Sequence, residues 1–125
     1  MKKVLVMAAA TLAVNVAALQ GAPANEMPGD ASRGKTSYQA CTGCHSVDEN
    51  ELGPRHRGVV GRRAGSLEDY AYSAALKNSG LNWNRETLDR WLQDPSALVP
   101  GTKMFFKIDD AQTRADIIAY LQDLK

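Results

Sequence analysis

The 125-residue sequence holds only two cysteines and two histidines. That scarcity excludes a disulfide-dense scaffold. A structural zinc site would have to consume all four, Cys41, Cys44, His45 and His56, at a spacing that matches no common zinc finger. An excess of either charge is also missing: 15 basic residues face 14 acidic ones, which argues against nucleic acid as a partner. No stretch alternates apolar and polar residues at period two, which removes a sheet and leaves an all-α domain. Internal repeats and low-complexity tracts are absent. No apolar run reaches the ~20 residues of a membrane-spanning helix. The nearest, residues 4–19, is interrupted by Asn15.

That run has the makings of a secretory leader. Lys2 and Lys3 form a basic start, and Ala22-Pro23-Ala24 is a small-residue cleavage site. Residues 1–24 are therefore read as a cleaved signal peptide and residues 25–125 as one domain, with an uncleaved membrane anchor as the alternative. Without Lys2 and Lys3 the balance is 13 basic to 14 acidic residues, a net charge of −1. A mature chain of about 100 residues sits near the lower edge of size for independent stability, and chains this short usually draw on a metal, disulfide or cofactor.

Asp30 is a good N-cap for a first helix over residues 30–44, in which Gly34, Tyr38 and Cys41 recur at i, i+4 and i+7. Glycine costs about 1 kcal/mol in a helix interior, so Gly34 implies the close approach of another backbone. Residues 47–65, punctuated by Gly53-Pro54, Gly58, Gly61 and Gly65, read as a long loop. Short helices are expected over residues 68–77 and 84–93, the second capped by Asn84 and stopped before Asp94-Pro95. Residues 96–106 read as irregular. A last helix runs from Asp109 or Asp110 to Leu124, with Ile117, Ile118, Leu121 and Leu124 on a buried face. So few helices build no ordinary core; the long loops need a common apolar surface, which a flat cofactor would supply.

Cys41-Thr42-Gly43-Cys44-His45 is the attachment sequence for a c-type haem. In a helical turn residues three apart share a face, so both thiols can bond the two vinyl groups of one porphyrin, and His45 follows at once as a ligand for its iron. A thioredoxin-like dithiol competes, but it expects a preceding strand in an α/β setting; a plain disulfide is another alternative. The second axial ligand is sought among four methionines. Met1 and Met7 leave with the leader and Met27 lies at the new terminus, whereas Met104 sits inside the fold in Pro100-Gly101-Thr102-Lys103-Met104. A core-filling role for Met104, or His56 as the ligand in its place, stays open on the residues alone.

Over residues 29–124 the chain resembles the class I c-type cytochromes and is similar to mitochondrial cytochrome c and its short soluble bacterial relatives. The resemblance is carried by Gly34, Tyr38, the cysteine-histidine motif, Gly53-Pro54, Gly58, Gly61-Arg62, Tyr70-Ala71-Tyr72, Trp83, Glu86-Thr87-Leu88, Asp94-Pro95, the Pro100 to Phe105 segment and Tyr120-Leu121. It implies a small cytochrome c fold whose first and last helices cross at Gly34 and Tyr38, near Tyr120 and Leu121. It implies further that the Pro54 carbonyl accepts the second ring N–H of His45, fixing its tautomer and raising its basicity. Arg62, Tyr72, Trp83 and Thr102 match positions that hydrogen-bond or enclose the haem propionates, which are costly to bury otherwise. Two positions depart from the pattern. Trp91 stands where the family usually has a tyrosine near the methionine sulfur, and an indole donates but cannot accept. Ala40 stands where the mitochondrial proteins carry a lysine before the motif, which weakens the expectation of a basic docking ring.

On this reading the chain is a soluble periplasmic electron carrier and not an enzyme. One covalent haem c with His45 and Met104 on its iron leaves no open coordination position and raises the reduction potential. The expected partners are transient redox proteins: a quinol-oxidising complex or dehydrogenase as donor, and an oxidase, reaction centre or reductase as acceptor. A monomer would meet them through small interfaces. Lys35, Lys103 and Lys107, and the patch of Arg55, Arg57, Arg62 and Arg63, are candidates for steering, with a solvated surface as the alternative. The competing function is a haem enzyme or gas sensor with Met104 off the iron.

Overall fold

The structure, a computed structural model, describes residues 26–125; the expected leader over residues 1–24 falls outside them. Among the described residues five α-helices follow one another: α1 (Ala31–Ser37), continued by a 3-10 turn (Tyr38–Cys41), then α2 (Ala74–Lys77), α3 (Arg85–Gln93), α4 (Pro95–Leu98) and α5 (Ala111–Asp123). Among the described residues the β pairing consists of one isolated bridge, Arg63 with Asn82. The domain is all-α, as its patterning predicts.

Each helix starts where a side-chain oxygen accepts an otherwise orphaned backbone N–H. Asp30, Ser73, Asn84, Asp94 and Asp110 do this for α1 to α5 in turn. At α3 the cap is reciprocal, because the Thr87 hydroxyl reaches back to the Asn84 backbone.

The frame is the crossing of α1 on α5. A Cβ at Gly34 would lie 1.9 Å from the Asp116 carbonyl oxygen and 2.9 Å from the Tyr120 Cβ, so only glycine lets the two backbones meet. Two ring and charge contacts lock the crossing. Tyr38 packs on Tyr120 with centroids 5.2 Å apart, and the Arg33 guanidinium donates to both Asp116 oxygens at 2.7 and 2.9 Å. On its other side α5 meets α3 through a buried ion pair, Arg114 to Asp89 at 2.6 Å, both side chains no more than 7% exposed. The same guanidinium donates to the carbonyls of Ile108 and Asp109 at 2.8 and 2.7 Å, which ties down the segment leading into α5.

Three expected elements differ. The first helix is α-helical only to Ser37 and then tightens to 3-10 as Tyr38 turns into the core, 3% exposed. The helix expected over residues 68–77 shrinks to Ala74–Lys77. The residues before it are drawn into loop contacts instead: Tyr70 donates to the Leu52 carbonyl, and Asn50 to the Asp69 carbonyl at 3.2 Å. Conversely, residues 96–106 are not wholly irregular, because α4 begins at Pro95. Asp94-Pro95 stops one helix and starts another, proline being tolerated at a first helical position.

Candidate functional site

The cysteine-histidine segment is held as a helical turn. The Cys41 carbonyl accepts both the Cys44 N–H at 3.1 Å and the His45 N–H at 2.9 Å. His45 is then fixed from the loop that follows. Its Nδ1–H donates to the Pro54 carbonyl at 2.8 Å, which leaves Nε2 as the lone-pair nitrogen. Gly53 makes room for the ring, since a Cβ there would lie 2.2 Å from His45 Cε1.

Cys41, Cys44 and His45 open into a cavity of about 530 Å³, and every element except α1 and α4 contributes to its wall. The volume falls within the ~300–1,000 Å³ usual for small-molecule and cofactor sites. Every residue expected at the site lines this one space: Cys41, Cys44, His45, Pro54, Arg62, Tyr72, Trp83, Trp91, Thr102 and Met104. Trp83 and Trp91 are both buried and meet edge to face at 5.1 Å. Arg62 donates to the carbonyls of Arg55 and Arg57 at 2.7 and 3.3 Å, which uses only part of its five-donor fork. Thr102 is buried, and its hydroxyl accepts the Met104 N–H at 3.5 Å.

Burial favours the uncharged forms of His45 and Cys41. Burial pulls His45 below the ordinary histidine value, against the Pro54 hydrogen bond that raises it; the neutral imidazole is the form that binds a metal. Burial pushes the Cys41 thiol up to about 11, with Cys44 adding to the effect. That is the wrong direction for a thioredoxin-like dithiol, which needs a thiolate at neutral pH. The donor set, two cysteines, an imidazole and a thioether around a largely apolar space, fits a covalently tethered porphyrin iron.

Some features were not legible in the sequence. His56 lines the same cavity rather than a surface, its Nδ1 lies 2.9 Å from the Tyr38 hydroxyl, and burial drives it down to about 3, with His45 and Arg62 contributing. Phe105 and Phe106, an apolar pair in a loop, line the cavity yet stay 74% and 46% exposed. The arginine patch is largely engaged within the chain. Arg55 pairs with Asp69 and Arg57 with Asp48, each at 2.6 Å, and Arg62 holds backbone carbonyls. Lys107 pairs with Asp94, and Lys103 donates to the Ala71 carbonyl.

Comparison with known proteins agrees with this geometry. Residues 31–125 match the family model described as Cytochrome c. The chain is 42% identical over 119 residues to cytochrome c2 of Rhodomicrobium vannielii, covering 92% of this chain and 95% of that one. Among solved structures, cytochrome cH from Methylobacterium extorquens superposes with a TM-score of 0.74 at 47% identity, over 76% of this chain and 99% of the other. Ferricytochrome c2 from Rhodopseudomonas palustris superposes with a TM-score of 0.73 at 37% identity, over 77% and 99% respectively.

Proposed function

The chain belongs to the cytochrome c family and carries one covalently bound haem c, and from that premise we propose that it is an exported periplasmic carrier whose iron is held by His45 and Met104. The observation that carries this reading is His45 itself. Its Nδ1 is committed to the Pro54 carbonyl, and it lines one cavity with Cys41, Cys44 and Met104. Bound there, the haem supplies a one-electron ferric/ferrous couple.

The residues then divide the work. Cys41 and Cys44 would tether the porphyrin by thioethers, and Arg62, Tyr72, Trp83 and Thr102 would receive its propionates. Trp91 helps wall the site against water, and the soft Met104 thioether favours the ferrous state, so the midpoint potential is expected to be positive. With His45 and Met104 both holding the iron, the chain would offer no place for a substrate, and its work would be transient docking with a donor and an acceptor. Export is supported by the leader pattern of residues 1–24.

Visible spectroscopy tests the ligand set. The ferric holoprotein should be low-spin and show the weak far-red band of a thioether ligand, and Met104→Ala should abolish that band and let added imidazole or cyanide bind. A band that survives Met104→Ala would exclude Met104 as the ligand. Intact mass of the exported protein should equal residues 25–125 plus one haem.

A further inference from the structure

His56 has no part in the function above, yet it lies against the residue on which that function depends. Its ring stacks on His45 with centroids 4.1 Å apart and planes within 22°. Its Nδ1 is 2.9 Å from the Tyr38 hydroxyl, and its backbone N–H donates to the Ser46 carbonyl at 3.1 Å. Tyr38 is buried and packs on Tyr120 of α5 at 5.2 Å. Four aromatic rings therefore run in contact from the last helix, through the 3-10 turn, to His45.

We propose that Tyr38 and His56 are positioning residues for the His45 imidazole, holding its ring plane in one orientation toward the iron; this rests on His45 being an iron ligand. The hydrogen bond from Nδ1 to the Pro54 carbonyl fixes one point of the ring, and Gly53 borders the ring where the loop passes. His56 adds a flat surface against which the ring plane is set. His56 can serve only if its own ring is held, and the Tyr38 hydroxyl holds it. Tyr38 in turn is set by burial three residues before Cys41, so one 3-10 turn carries both a tether for the cofactor and the anchor for its ligand's orientation. An aliphatic side chain at position 56 would fill the volume and define no plane.

The test reads the hyperfine-shifted haem-methyl proton resonances of the ferric holoprotein, whose spread follows the orientation of the axial imidazole. Tyr38→Phe, which removes one oxygen and keeps the buried ring, and His56→Leu should each redistribute these shifts. The double variant should go no further than His56→Leu alone, because both changes act through one ring. His56→Phe, which keeps a flat neighbour but loses the Tyr38 hydrogen bond, should match Tyr38→Phe and fall short of His56→Leu. Ile118→Val, at a buried position of α5 that does not line the cavity, should keep the wild-type pattern. Unchanged shifts in Tyr38→Phe and His56→Leu overturn the proposal, and so does an equal change in Ile118→Val or a His56→Phe variant as displaced as His56→Leu. Should His56→Leu yield no holoprotein, Tyr38→Phe decides by itself. Failure of the ligation reading shows separately: wild-type holoprotein labelled with nitrogen-15 histidine would then give no iron-coupled histidine nitrogen.

Discussion

At the scale of single residues, the site depends on clearances as much as on donors. Gly53 is a case in point: in the sequence it reads as punctuation before Pro54, whereas its lack of a side chain is what lets the His45 ring lie beside the loop. Gly53→Ala places a methyl where the imidazole sits, so it should push His45 off the Pro54 carbonyl. The expected cost is about 1–3 kcal/mol, the usual range for overpacking, read from guanidinium unfolding of the holoprotein and accompanied by a weakened low-spin spectrum. Cys41, Cys44, His45 and Met104 could be put forward from the sequence because their chemistry is intrinsic to the residue type, and all four line one cavity. The surroundings of His56 were not, since nothing in a chain position announces that a ring 11 residues after His45 will stack on it.

At the scale of elements, three of the five caps were legible and the packing was not. Asp30, Asn84 and Asp110 announce their helices locally, but the shift from α to 3-10 at Tyr38 follows from its burial against α5, a contact far away in the chain. The buried Arg114–Asp89 pair joining α3 to α5 was equally hidden, because each residue alone reads as surface charge. Asp89→Ala would leave the guanidinium buried with only carbonyl partners, so stability should fall by about 3–5 kcal/mol in chemical denaturation. Gly34→Ala tests the other joint of the frame. With the Asp116 carbonyl 1.9 Å from the new methyl, α1 must move off α5, and a loss of about 1–3 kcal/mol with an unchanged visible spectrum is expected.

At the scale of the whole molecule, the N-terminal segment is fastened to the C-terminal helix by charge. Arg33 holds the Asp116 carboxyl down to about 2, with help from the Asp30 N–H and Gln112, against a burial effect that raises it. A carboxylate with a lowered folded value contributes stability that is complete above the ordinary aspartate value of about 4 and is lost as pH falls toward about 2. Stability measured from pH 5 to pH 2 should therefore decline, and Asp116→Asn should flatten that decline while lowering stability near neutral pH by about 2 kcal/mol. With Lys107, Arg55 and Arg57 paired inside the chain and a charge of −1 over residues 25–125, reaction with a redox partner should change less than about tenfold with ionic strength, below the range of strongly steered pairs, in stopped-flow kinetics. The sequence by itself determined the helical class, the starts of α1, α3 and α5, the covalent cofactor and the family, because propensity, capping and a five-residue attachment motif act locally. Only the tertiary structure decided which faces meet, why two glycines must be glycines and what stands beside His45, because clearance and stacking exist only once distant segments share the same space.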